Sequence, residues 1–242
     1  MKVLGVIPAR IGATRFPGKP LALLHGRPLV LHVLDRARKC SALDRIVVAT
    51  DSREIARVVE EDGGEAMMTR ADHASGTDRV AEVSVRLPEY AAVVNLQGDE
   101  PTLEPRAIEA AFDPIVRGVA ALSTLAHEET DLQAFASPDV VKVLVDPDGF
   151  ARTFTREALP EAMDRGVFLR HVGLYAFERA TLARFAALPP TESERAHRLE
   201  QLRALDHGIK IRVVRTPWRS RGVDTPADLA ALESQGEQEP LR

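Results

Sequence analysis

Short apolar runs alternate with amphipathic stretches along the first half of the chain. Val3 to Ile7 is a continuous apolar run of strand length. Leu29 to Cys40 instead sets Leu29, Val30, Val33, Leu34 and Ala37 near a helical period and carries a basic end, Arg36, Arg38 and Lys39. Arg45 to Thr50 reads as a second buried strand. Asp51 and Ser52 then offer an N-cap, and Ile55, Ala56, Val58 and Val59 predict a helix that stops at Gly63-Gly64. Glu65 to Met68 and Ala91 to Leu96 read as the third and fourth strands, and Pro105 starts a helix through Val116. Continuous apolar strands separated by amphipathic helices predict an α/β fold: a doubly wound, mostly parallel sheet with helices on both faces.

The pattern weakens between Val119 and Phe177. Ala120–Leu125, Val140–Val145 and Val172–Phe177 read as strands without full helices between them, and Asp146-Pro147-Asp148-Gly149 is a hairpin turn. This predicts antiparallel additions to the sheet plus an excursion. The chain is expected to form one domain over 1–242, with a smaller sub-region at about 123–175 carrying a dimer interface. Thr191 and Glu194 have capping-box spacing. They open a helix whose core stripe is Leu199, Leu202 and Leu205 and which Gly208 ends. Ile209 to Val214 is a strand, and Thr225-Pro226 opens the last helix. The polar tail from Gln235 is expected to fray.

Composition narrows the class. With 45% hydrophobic and 28% charged residues the chain is an ordinary globular protein. A net charge of −4 argues against a nucleic-acid binder, so the basic early loop is a local feature. The single cysteine, Cys40, excludes an internal disulfide framework and a Cys-rich zinc site. The apolar start is too short for a signal peptide, and no stretch approaches the ~20 apolar residues that span a bilayer. The expected location is the cytoplasm, with no membrane partner.

The candidate chemistry begins where the first strand ends. Arg10, Gly12, Thr14, Arg15, Gly18 and Lys19 place three cations, two glycines and a hydroxyl at that strand's carboxyl end, where open α/β sheets bind ligands. This is an anion cradle, stiffened by Pro8, Pro17 and Pro20. It is not a Walker loop: Gly12 and Gly18-Lys19 stand one residue too far apart, and Pro20 replaces the Ser or Thr. Asp99 follows the fourth strand and Asp224 precedes the last helix. Read alone, Asp99 fits an Asx turn and Asp224 an N-cap. Beside a phosphate loop, both fit an Mg²⁺ site, since this ion takes a few carboxylates plus phosphate oxygens. Thr69 to Arg79 puts small hydroxyl residues and Gly76 before a helix, which suits close contact with a base or ribose. There is no Gly-x-Ser-x-Gly elbow and no catalytic-cysteine context.

Taken together, several stretches resemble the CMP-Kdo synthetases, the 3-deoxy-manno-octulosonate (Kdo) cytidylyltransferases. They are Ile7-Pro8-Ala9-Arg10, Thr14 to Pro20, Ala49-Thr50-Asp51, Thr69 to His73, Ser75-Gly76-Thr77, Asn95 to Pro101, Phe168 to His171, Leu199 to Arg203 and Gly222 to Pro226, in family order. The chain departs from the family pattern after Arg156, where Leu159-Pro160-Glu161 and a short run to Phe168 replace a longer segment. The resemblance implies a nucleotide-diphospho-sugar transferase-like fold and the reaction of CTP with Kdo to CMP-Kdo and pyrophosphate, for lipopolysaccharide biosynthesis. It further implies that Arg10 and Lys19 hold phosphates with Arg15 nearby, and that Asp99 and Asp224 hold Mg²⁺. Ala9, Thr14, Arg70, His73, Ser75, Gly76 and Gln97 would complete the nucleotide site. Arg15, Gln97, Arg156, His171, Tyr175, Glu200 and Gln201 would take the sugar. A homodimer is expected. Two alternatives remain open: a cytidylyltransferase for another acidic sugar, such as a sialate or amino-Kdo, and a non-catalytic nucleotide binder on the same fold.

Overall fold

The computed structural model describes residues 1–12, 16–158 and 166–234. Among them, β2 (Leu23–Leu24) and β3 (Arg27–Pro28) form a small hairpin, and nine strands form one mixed sheet whose main path runs β11 (Arg212–Arg215), β7 (Leu122–Glu129), β10 (Phe168–Glu178), β6 (Ala92–Asn95), β1 (Val3–Ala9), β4 (Arg45–Thr50), β5 (Ala66–Met68). The central strand β1 (Val3–Ala9) is buried along almost its whole length and lies parallel to β4 (Arg45–Thr50) and β6 (Ala92–Asn95). β5 (Ala66–Met68) extends the parallel part beyond β4. β1, β4 and β6 have neighbours on both edges and helices on both faces, which is why they read as apolar runs. The chain steps outward from β1 to β4 and β5, then returns to β6 on the other side of β1. That reversal opens a crevice at the carboxyl ends of β1 and β6.

One core packs α1 (Leu29–Arg38), α2 (Arg53–Glu61) and α4 (Pro105–Val116) on one face through Leu34, Ile55 and Ile108. The opposite face carries α3 (Gly76–Arg86) and α6 (Arg179–Ala186) through Val80, Val83, Leu182 and Phe185. The expected cap at Ser52 is present, and the structure adds one at Ser75. Ser52 accepts from Ile55 N–H, and Ser75 with Asp78 forms a capping box on α3.

The weakly patterned region joins the same sheet. β7 (Leu122–Glu129) lies antiparallel to β10 (Phe168–Glu178) and parallel to β11 (Arg212–Arg215). β8 (Lys142–Val145) and β9 (Ala151–Thr155) form the hairpin expected around Asp146 to Gly149, and β8 pairs with β10. α5 (Leu132–Ala136) lies between β7 and β8. β10 starts four residues earlier than the apolar pattern indicates. Its register shifts between Val172 and Tyr175, where Gly173 interrupts the alternation.

One expectation fails. The helix expected from Thr191 to Leu205 is two short helices, α7 (Glu192–His197) and α8 (Gln201–Asp206), separated at Arg198 with φ 52°. Arg203 on α8 reaches back to Glu194 on α7 with two hydrogen bonds of 2.7 and 2.5 Å, which holds the halves together across the turn. No Gly or Pro marks the break, so the sequence carries no signal for it. As a result Gln201 is buried rather than lying beside the leucine stripe on an outer face. α9 (Pro226–Glu233) closes the described chain, capped by Thr225 and Asp228. The tail from Gln235 lies outside the described residues.

Candidate active site

Three loops meet over the crevice, and each is held there by its own local chemistry. The first follows β1. Gly18 adopts φ 73°, a left-handed turn that glycine enters without strain, and starts the short 3-10 turn Lys19–Leu21. The second follows β6. A side chain at Gly98 would place its Cβ 2.5 Å from the Pro8 carbonyl oxygen, so only glycine lets this loop lie on the end of β1. The third precedes α9. Val223 N–H donates to the Asp99 carbonyl at 2.8 Å, and Arg221 N–H donates to Thr102 Oγ1 at 2.9 Å. These bonds bring Asp224 beside Asp99.

The acids converge on one cation. Lys19 Nζ lies 2.6 Å from Asp99 Oδ2 and 3.6 Å from Asp224 Oδ1, and it donates to the Val223 carbonyl at 2.9 Å. The cap of α9 belongs to Thr225, whose Oγ1 accepts from Asp228 N–H. Asp228 in turn accepts from the backbone of Asp224 and Thr225. The Asp224 carboxylate is therefore not that cap. Glu100, which the sequence reading passed over, accepts from the Ser220 hydroxyl. Burial first, then the Asp99 charge, pushes its carboxyl up to about 7.

Ala9, Arg10, Lys19, Ser75, Gly76, Gln97, Asp99 and Asp224 line one cavity of about 330 Å³. Arg79 lines it too and was not singled out. It stands three residues after Gly76, on the same helix face, and its buried guanidinium donates to Asp51 at 3.1 Å and to Thr69. A second cluster lies behind the α3 N-terminus. Glu200 accepts from Thr77 Oγ1 at 2.6 Å, and Tyr175, Glu200 and Gln201 share a small pocket with Thr77. The His171 and Tyr175 rings stand 5.5 Å apart. The Thr124 hydroxyl donates to the Leu174 carbonyl at 2.8 Å, leaving its oxygen to accept from His171 Nε2 at 2.9 Å. Burial raises the Glu200 carboxyl and, with the Glu200 charge, the Tyr175 phenol.

Four expected residues, Arg70, His73, Arg156 and His171, line neither cavity. Arg70 pairs with Asp72, and His73 bonds Glu82. Arg156 donates to the Pro138 and Asp139 carbonyls at 3.0 and 3.4 Å, while fully buried Lys142 donates to the carbonyls of Ser137 and Arg156. Thr14, Arg15 and the Leu159-Pro160-Glu161 departure lie outside the described residues.

Burial also fixes a pH dependence. The His171 imidazole is pushed down to about 3, so between about 3 and 6.5 the unfolded chain binds a proton that the folded chain refuses. The stability contribution is complete above 6.5 and is lost as pH falls through that window. Thermal melts of His171→Asn should therefore lose less stability than wild type between pH 6.5 and 4. Parallel curves would remove this cause.

The fold and the crevice define the class, that of the nucleotide-diphospho-sugar transferases and cytidylyltransferases. A family model described as Cytidylyltransferase matches residues 4–211. The 3-deoxy-manno-octulosonate cytidylyltransferase of Trichlorobacter lovleyi is 44% identical, over 98% of this chain and 100% of that protein. That of Syntrophobacter fumaroxidans is 46% identical over 96% of each. A solved structure of CMP:2-keto-3-deoxy-manno-octonic acid synthetase complexed with CTP is 38% identical, with TM-score 0.91 over 97% of this chain and 98% of that one. The chain belongs to the 3-deoxy-manno-octulosonate cytidylyltransferase family.

Proposed function

We propose that this protein transfers CMP from CTP to the anomeric hydroxyl of Kdo. The hydroxyl oxygen forms the new bond to the α-phosphorus, the bond to the bridging oxygen breaks, and pyrophosphate leaves in line with the hydroxyl proton lost to the medium. Such transfer depends on positioning and charge neutralisation rather than a covalent catalyst. The observation that carries the reading is the meeting of Lys19, Asp99 and Asp224 at the switch point, in one cavity with Arg10, Ser75 and Gln97.

Arg10 and Lys19 bind triphosphate oxygens, with Arg15 and Thr14 beside them on family likeness. Ser75, Gly76 and Gln97 receive the nucleoside next to Ala9, and Arg70 and His73 are retained there on likeness alone. Asp99 and Asp224 hold Mg²⁺. The donor set fits this ion: two carboxylates from separate loops already accommodate a cation, and a triphosphate would supply further oxygens. When bound, Mg²⁺ neutralises triphosphate charge and polarises the α-phosphate.

His171, Tyr175, Glu200 and Gln201 receive the sugar, with Arg156 and Arg15 assigned to it on likeness. Glu200 Oε1 is buried without a hydrogen bond among the described residues, with the Arg203 guanidinium at 3.9 Å, and a sugar hydroxyl would donate to it. Glu200→Gln should raise the KM for Kdo about tenfold, because a hydrogen bond to a carboxylate becomes a weaker one to a neutral amide, with the KM for CTP and the melting temperature little changed. A large stability loss with normal kinetics would make Glu200 structural.

Pyrophosphate release tests the reading. CTP with Kdo should react, while CTP with a sialate and UTP with Kdo should react far more slowly, since buried hydrogen-bonding sites reject mismatched partners. Faster reaction with the sialate would move the assignment to another acidic sugar. No described helix is long and apolar enough to cross a membrane. We further propose a cytoplasmic homodimer of one catalytic domain over 1–242, with its interface in the sub-region at about 123–175. Sedimentation as a monomer would remove the dimer.

A further inference from the structure

The cation between the two acids belongs to the chain itself. Lys19 is mostly buried, its side chain 15% exposed. It donates hydrogen bonds to Asp99 at 2.6 Å and to the Val223 carbonyl at 2.9 Å, and stands at ion-pair distance, 3.6 Å, from Asp224. The loops carrying the acids cannot drift apart to relieve repulsion, because Val223 N–H is bonded to the Asp99 carbonyl and Ser220 to Glu100. Two fixed carboxylates need a counter-charge, and Lys19 supplies it.

A divalent ion would compete for that place. Mg²⁺ takes carboxylate oxygens at about 2.0–2.1 Å, closer than the ammonium now stands to Asp99 Oδ2, and the two cations repel each other. We infer that Lys19 is a stand-in for the metal: it holds Asp99 and Asp224 in position in the free protein and must leave them when a divalent ion enters. This rests on the metal reading above and deepens it. An incoming triphosphate gives the released ammonium new anionic partners, so metal and nucleotide favour each other's binding. The metal alone has to displace the lysine without that compensation. Removing Lys19 therefore strengthens metal binding to the free protein, although Lys19 is itself a ligand for the nucleotide.

The test is a Mn²⁺ titration of the full-length, nucleotide-free protein, read by electron paramagnetic resonance. Lys19→Met and Lys19→Gln should bind Mn²⁺ about tenfold or more tighter than wild type, the scale on which an adjacent opposite charge shifts a carboxylate's proton affinity. Adding Asp224→Asn to Lys19→Met should abolish the gain. Equal or weaker Mn²⁺ binding by folded Lys19 variants overturns the inference. If neither variant folds by circular dichroism, the wild type decides. Saturating Mn²⁺ alone should raise amine labelling of Lys19 severalfold, as read by mass spectrometry, and an unchanged labelling rate overturns the inference. Because these measurements involve no Kdo and no turnover, their failure leaves the proposed reaction standing. Failure of wild type to release pyrophosphate leaves the Mn²⁺ result standing.

Discussion

Asp99→Asn and Asp224→Asn should each lower turnover by about 10²–10³, the usual cost of removing one preorganised charge contact from the reacting groups. Combining them should cost little more than either alone. The reason is geometric: the two carboxylates arrive from loops more than a hundred residues apart yet approach the same Lys19 Nζ, at 2.6 and 3.6 Å. One cation place depends on both, and residues that act as a unit give non-additive losses. Neither substitution should unfold the protein, since the cap of the last helix is made by Thr225 and Asp228. Turnover at saturating CTP and Kdo, with melts of each variant, reads both effects. Full activity of Asp224→Asn at low Mg²⁺ would leave that acid without a metal role.

Lys19→Met should lower turnover on a similar scale, about 10²–10³, through loss of a cation that meets the triphosphate. Read as an exposed loop residue, Lys19 would contribute almost nothing to stability. The structure corrects that expectation, because its substitution removes a half-buried ammonium that lies 2.6 Å from Asp99 and 3.6 Å from Asp224. A measurable fall in melting temperature should accompany the kinetic loss, and Asp99→Asn should restore part of it in the double variant. Lys19→Arg keeps the charge on a wider planar group that does not fit the same three contacts, so it should recover stability better than turnover. Near-wild-type turnover of Lys19→Met with saturating CTP would contradict the phosphate role.

Much of this arrangement was legible in the sequence because it is local. Strand Arg45–Thr50 and helix Pro105–Val116 match the structure, and Ser52, Thr191 and Thr225 cap where their spacing places them. Placing loops at carboxyl ends of buried strands was enough to bring Arg10, Lys19 and Asp99 to one cavity, while Asp224 arrives on the loop before the last helix. What escaped depends on partners distant in sequence. The break at Arg198 is closed by an Arg203–Glu194 pair. The tie between Thr77 and Glu200 spans 123 positions. Arg70 and His73, which the resemblance places in the nucleotide site, pair with Asp72 and Glu82. The contact of Lys19 with both acids was hidden for the same reason: composition gives charges, and only the fold gives distances.

The most direct measurement follows the phosphorus. A phosphorus NMR time course of the wild-type protein with CTP, Kdo and Mg²⁺ should show the CTP resonances replaced by pyrophosphate and the single phosphodiester signal of CMP-Kdo, in equal amounts. Chelation of the metal with EDTA should halt the course and added Mg²⁺ should restart it. CTP left intact, or converted to free CMP and pyrophosphate independently of Kdo, would contradict transfer to the sugar.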